Sequence, residues 1–253
     1  MNGGARLRLR VQLTRMGKMR FLSHTEYWRT FMLAARRSGL PLACTGDYRP
    51  RLKISLSPPL PIGVTSGCEL VDLTLTSYVP PAEAARMLGE ALPHGMEVAA
   101  CRLVADDAKP VGKVIDTAEY VAVITSGATR APEWSRAAET FLQEDSVEFE
   151  RVQPRRTRVV DLRPGVHGIE VSEPDETGSV RIAMRVDDGT RGTVKPREVL
   201  SVLRDYAGAE AGVAECAVIH RESLLTRRGE RFISPMEVDR RKPVARGRRE
   251  RWR

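Results

Sequence analysis

The amino-acid sequence predicts an α+β fold of two tandem ferredoxin-like sandwiches, followed by a basic, disordered C-terminal tail. Three observations predict it. Short segments alternate apolar and polar residues at the period of a one-sided strand, and capped amphipathic helices separate them. The order strand, helix, strand, strand, helix, strand then recurs about 115 residues further along.

Each element rests on a local signal. Leu7, Leu9, Val11 and Leu13 alternate with Arg6, Arg8, Arg10 and Gln12, a strand with one buried face. A helix is expected from His24 to Ser38. Ser23 is its N-cap and Glu26 completes a capping box; Gly39 and Pro41 stop it. Its apolar stripe is Tyr27, Phe31, Ala34 and Ala35. Thr45 to Arg51 reads as a loop, and Val71, Leu73 and Leu75 mark another one-sided strand. Pro81 opens a helix to Leu92, and Met96 to Val104 is a strand. Asp106 to Thr117, with Pro110 and Gly112, reads as a linker. Beyond it come a strand from Tyr120 to Thr125, a helix from Pro132 to Gln143, a strand opening at Val147 and extended chain from Val159 to Val171. Val180, Ile182, Met184 and Val186 mark a strand closed by an Asp187-Asp188-Gly189 turn. A helix follows from Pro196 to Tyr206, and a strand from Glu215 to Arg221. The expected organisation is a first module over residues 1–105, a linker over 106–117, a second module over 118–225, and a basic tail over 226–253.

Net charge is +8 at a sequence pI of 9.7, but its location matters more than its size. Arg240, Arg241, Lys242, Arg246, Arg248, Arg249, Arg251 and Arg253 stand against Glu250 alone, leaving the remaining chain nearly neutral. This tail has almost nothing to bury and is expected to be disordered and to hold phosphate backbone. In the body, helices cover one sheet face and leave the other open, so Arg6, Arg8, Arg10, Arg181 and Arg185 would form an exposed plate. That plate serves either solubility or a ligand.

Several function classes fall away. No apolar run approaches the ~20 residues of a membrane span, and the amino terminus lacks a signal-peptide core. A cytoplasmic protein without membrane contact is expected. Cys44, Cys68, Cys101 and Cys216 stand too far apart for a zinc knuckle, a thioredoxin pair or an iron–sulfur loop. There is no phosphate-binding loop and no dinucleotide fingerprint. No metal and no cofactor is expected.

The run Thr14-Arg15-Met16-Gly17-Lys18-Met19-Arg20-Phe21-Leu22-Ser23-His24, with Ala35-Arg36-Arg37-Ser38-Gly39-Leu40-Pro41, resembles the opening of the radical-SAM-linked family of bacterial proteins. So do Lys53-Ile54-Ser55 through Val64, Val160 to Pro164, Lys195-Pro196 and His220-Arg221, so that the resemblance spans about residues 6–225. Members are encoded beside, or fused behind, a radical SAM protein, and the resemblance therefore implies such a partner but no chemistry. Two departures stand out. The stretch after the helix-opening histidine reads Thr25-Glu26, and Arg51 replaces a histidine common in the family.

The candidate anion surface joins Arg15, Lys18, Arg20 and His24 with Tyr48, Arg49, Arg51 and Lys53. A helix N-terminus at Ser23-His24 favours an anion, arginines fork onto phosphate oxygens, and Tyr48 offers a stacking face. The alternative is a solvated basic loop beside a well-capped helix. His24 is the one candidate for acid–base work; His94, His167 and His220 have no partner assignable by spacing. Asp161, Arg163 and Arg221 are expected to form an ion network in the second module. The favoured reading is a noncatalytic RNA-binding or adaptor protein assisting a separate radical SAM enzyme. Against it stand a metal-independent ribonuclease or RNA-modifying enzyme using His24, and a pure protein–protein adaptor.

Overall fold

A computed structural model describes residues 7–238 except 47, 49, 106, 126–130, 154–155 and 211. The alternating segment at the start becomes β1 (Leu7–Arg15), and a 3-10 turn at Gly17–Phe21 leads into α1 (His24–Arg37). The capping box is formed: Ser23 Oγ accepts from the Glu26 N–H, and the Glu26 carboxylate accepts from the Ser23 N–H. A hairpin of β2 (Cys44–Thr45) and β3 (Arg51–Leu52) precedes β4 (Ile54–Leu56) and the long β5 (Thr65–Leu75). Then come α2 (Pro81–Ala91) and β6 (Val98–Val104). The second half runs β7 (Thr117–Ile124), α3 (Ala131–Gln143), a hairpin of β8 (Glu148–Gln153) and β9 (Arg156–Asp161), then β10 (Val166–Val171) and β11 (Val180–Gly189). It closes with β12 (Gly192–Thr193), α4 (Pro196–Ala207), α5 (Val213–Cys216), β13 (Val218–Arg228), β14 (Arg231–Ile233) and α6 (Pro235–Val238).

The result is a mixed α+β fold on one large, mostly antiparallel sheet. Its main path is β10-β11-β7-β13-β5-β1-β6, with β4, β12 and β14 attached to β5, β11 and β13. Parallel pairing of β13 with β5, His220 opposite Thr65 and Arg221 opposite Ser66, joins the halves. Leu9, Val11, Leu13, Val71 and Leu73 pack under Tyr27, Trp28, Phe31 and Leu88. The second core lies beneath Trp134, Phe141, Leu200 and Leu203, and Leu60, Val64, Cys68 and Leu70 of the first half join it. The halves share both a sheet and a core.

Three expectations need correction. The segment expected as a linker is folded chain over its described residues, 107–117: Val111 and Ile115 are fully buried, the Val111 N–H donates to Asp72 Oδ2 and the Gly112 N–H to Ser55 Oγ. The predicted tail begins too early. β13 runs on to Arg228, β14 pairs with it, and Pro235 and Met236 are buried. Their apolar surface and the Pro235 carbonyl, which accepts from Arg10 Nη1 at 2.7 Å, hold this segment against the sheet. The eight cations at Arg240 to Arg253 lie outside the described residues.

The third correction concerns the arginine plate. The segment after β6 and the α6 turn cover the first half of the face that was expected to be open, over Arg8 and Arg10. Arg10 is fully buried and forks onto Asp72 at 2.7 and 3.0 Å, while Arg8 donates to the Ala108 carbonyl. Arg185 binds Glu119 at 2.6 Å and Arg181 lies 3.7 Å from Glu222. Arg6 lies outside the described residues. Among the described residues, carboxylates therefore answer Arg10, Arg181 and Arg185 and a carbonyl answers Arg8, so these arginines do not form a plate of unpartnered cations.

Candidate functional site

Where β1, β5 and β13 run side by side, alternation places charged residues on the helix-covered face instead of apolar ones. Arg15 ends β1 opposite Ser66, which is paired in turn with Arg221. Glu69 projects from β5 in phase with Val71 and Leu73. The Arg221 guanidinium donates to Glu69 and, at 3.3 Å, to Asp188 Oδ2; Tyr120 Oη donates to the same oxygen at 3.1 Å. Arg15, Glu69, Asp188 and Arg221 are each no more than 1% exposed.

Burial in low dielectric disfavours charge, and opposite charges restore it. Burial, the largest influence, pulls the Arg221 pKa down, yet Glu69, Tyr120 and Asp188 outweigh it and leave the pKa raised. The Asp188 carboxyl is pushed up by burial against the opposing pull of Arg221. Burial likewise raises the Tyr120 and Tyr27 hydroxyls. Among the described residues Arg15 Nη1, Glu69 Oε2 and Arg221 Nε have no hydrogen-bond partner, so this cluster is incompletely satisfied there. His24 opens α1 at its edge, half-buried, its ring edge-on to Trp28 at 6.2 Å. Burial lowers its pKa, Glu69 opposes this, and Arg15 and Arg221 add to it. These influences together favour the neutral imidazole over the charged one.

The predicted anion surface is divided by the fold. Arg15 turns inward, donates to the carbonyls of Met19, Arg20 and Leu22, and lies 5.0 Å over the Tyr27 ring. It fastens the turn before α1 and is not available to phosphate. Lys18 is exposed on that turn, and Arg20 stacks over Phe21 at 4.7 Å. Tyr48, 92% exposed, with exposed Arg51 and half-buried Lys53, belongs to the hairpin, which Arg36 ties to α1 by donating to the Pro50 carbonyl at 3.4 Å. Arg49 lies outside the described residues. The two clusters therefore stand at opposite ends of α1, about 20 Å apart at 1.5 Å per residue. Sequence reasoning missed Arg29, Arg36 and Arg37, exposed along that helix, of which Arg36 reaches the hairpin.

The predicted Asp161–Arg163–Arg221 network is also corrected. Asp161 accepts from the Val147 and Arg163 N–H groups, and Arg163 donates to the carbonyls of Val166 and Leu142. These cap a turn, whereas Arg221 binds Glu69 and Asp188. The Asp187-Asp188 pair lies in β11: Asp187 meets His167 Nε2 at 2.7 Å, and Asp188 enters the seam. A lone Glu69 within the apolar run Cys68-Glu69-Leu70-Val71 was the available sign of a buried partner. Among the described residues, no three His, Cys, Asp or Glu side chains are placed to hold a metal ion, and the four cysteines stay unpaired. No helix among them is long and apolar enough to cross a membrane.

Residues 8–196 match a family described as an uncharacterized protein conserved in bacteria, DUF2344. No curated protein matches the chain. Among solved structures, the crystal structure of a Cbf5–Nop10–Gar1 complex is similar at 15% identity and a TM-score of 0.45, over 85% of this chain and 48% of that one. The archaeal box H/ACA sRNP Nop10–Cbf5 complex is similar at 14% identity and a TM-score of 0.40, over 84% and 46%. The chain spans about half the length of the solved chains it matches.

Proposed function

The chain belongs to the DUF2344 family of conserved bacterial proteins, and from that premise we propose that it is a noncatalytic RNA-binding protein assisting a separate radical SAM enzyme in the cytoplasm. The observation that carries the reading is the outer surface of α1 with the β2–β3 hairpin. Arg37 and Arg51 are exposed there and neither reaches a carboxylate among the described residues, while Tyr48 stands almost wholly in solvent. Cations without partners track a phosphate backbone, and an exposed ring stacks an unpaired base. The radical SAM partner follows from the resemblance of residues 14–24 and 35–41 to the radical-SAM-linked family. The tandem ferredoxin-like reading is supported by strand order: β4-β5-β1-β6 and β10-β11-β7-β13 both run second, third, first, fourth.

The test is fluorescence anisotropy with single-stranded RNA across a salt series, comparing the wild type with the Arg37→Ala/Arg51→Ala double variant. Each phosphate contact contributes about −0.7 to the log–log slope on a single strand, so losing two should flatten it by about 1.4. Unchanged affinity and slope would remove this surface and favour the protein–protein adaptor. One observation favours a second reading, an RNA-cleaving or RNA-modifying enzyme: half-buried His24, its pKa lowered by burial, beside the incompletely satisfied Glu69–Arg15–Arg221 cluster. Turnover of RNA by the purified protein, abolished in His24→Ala, would replace the first reading by the second.

A further inference from the structure

A cavity of about 330 Å³ opens where the halves meet, between the Pro59-Leu60-Pro61 loop of the first and the Thr193-Val194-Lys195-Pro196 entry to α4 of the second. Its walls are the rings of Pro59, Pro61 and Pro196 with Leu60 and Val194. Tyr120, Asp188 and Thr193 also line it; the Tyr120 hydroxyl donates to Asp188 Oδ2 at 3.1 Å and the Thr193 hydroxyl to Asp188 Oδ1 at 3.4 Å. Lys195 stands half-exposed among the lining residues, 3.7 Å from Glu198 Oε1. Two stretches that carry the family resemblance, Pro59-Leu60-Pro61 and Lys195-Pro196, thus meet around one space, and Arg221 lies directly behind it on Asp188.

We propose that this cavity takes a single unstacked nucleobase from a bound RNA strand. The proposal rests on the RNA-binding reading above. A volume near the lower end of small-ligand sites suits one small ring system rather than a helix or a long chain. Flat, rigid proline faces suit a planar ring, which an aliphatic side chain would fill poorly. Hydroxyl and carboxyl groups side by side suit a heterocycle whose edge carries adjoining donors and acceptors, the way bases removed from the stack are read. A lipid chain would offer that edge nothing. The Lys195 ammonium suits the nucleotide's own phosphate. The base would also touch the ionic seam that ends at His24, coupling occupancy to the junction of the halves.

The experiment is methyl-detected NMR on the full chain, following Leu60 and Val194 during titration with uridine, cytidine, adenosine, guanosine and ribose 5-phosphate. A parallel anisotropy measurement follows single-stranded RNA. At least one nucleoside should shift both methyl groups at millimolar concentration, and ribose 5-phosphate should not. Tyr120→Phe, which keeps the ring and loses one hydrogen bond, should weaken that nucleoside by up to about tenfold. Lys195→Ala should leave nucleosides unchanged and weaken the corresponding monophosphate, so a misfolded Tyr120 variant does not remove the test. RNA binding without any nucleoside response at Leu60 and Val194 overturns the pocket and leaves the RNA reading standing. Nucleoside binding in a protein that binds no RNA overturns the RNA reading and identifies a free-nucleoside site. Equal shifts from ribose 5-phosphate overturn base recognition.

Discussion

Replacing Arg221 by Met should be among the most destabilising single substitutions in this protein. The guanidinium is wholly buried between Glu69 and Asp188, both nearly inaccessible. Methionine fills similar space but leaves the Asp188 carboxyl with no cation beside it and Glu69 with Arg15 alone. Breaking a buried pair in this manner costs about 3–5 kcal/mol, a large share of a typical stability of about 5–15 kcal/mol. For a chain of this size, about 2–4 °C of Tm accompanies each kcal/mol, so Tm should fall by about 6–20 °C. The loss should also depend on pH. Burial already raises the Asp188 pKa and Arg221 opposes that rise; without Arg221 the folded-state pKa climbs further. A group whose folded pKa exceeds its unfolded value stabilises the fold below the unfolded pKa, and that stability is lost as pH rises through the folded pKa. The deficit relative to wild type should therefore be largest at neutral pH and shrink on acidification. Urea titrations of both proteins from pH 5 to pH 8 measure it, and adding Glu69→Gln and Asp188→Asn should recover part of the loss. A deficit under about 1 kcal/mol at pH 7, in the range of ordinary substitutions, would refute the placement of Arg221 as the seam's central cation.

Three further outcomes are expected, two from packing and one from the charge of the tail. Truncation after Ser234 should lower the urea midpoint, because it removes buried Met236 and the Pro235 carbonyl bound by Arg10, whereas truncation after Val238 should leave it unchanged. The latter truncation should also flatten the RNA salt slope by several units if about half of the eight tail cations engage, at about 0.7 each; an unchanged slope shows that the tail does not touch RNA. Gly189→Ala should be strongly destabilising by thermal melt, since φ is +115° and a Cβ would stand 2.6 Å from the Ile115 carbonyl oxygen; a wild-type Tm would refute that packing.

Elements whose signals are local are legible in the amino-acid sequence. Alternation at Leu7–Leu13, Val71–Leu75 and Val180–Val186 specified strands with the faces they adopt, because a period of two is a property of the chain. Ser23 with Glu26 specified the start of α1, and proline at 81 and 196 the starts of α2 and α4, because capping joins neighbours in sequence. What lies over a strand's outward face is not local. Arg10 and Arg8 have the pattern of solvent-facing residues, yet chain a hundred and more positions away buries one and binds the other. Thr226 to Val238 looked too polar to order, but pairing along β13 supplies the backbone hydrogen bonds that the tail could not make alone. The candidate sites divide along the same line. Exposed Tyr48, Arg51 and Lys18 were legible, since a short polar turn between periodic segments must reach solvent. The seam was not: Arg15, Glu69, Asp188 and Arg221 come from four strands, and only the parallel junction of β13 with β5 brings them into one low-dielectric space. There each charge requires its partner, a demand that arises from burial, which tertiary structure alone creates.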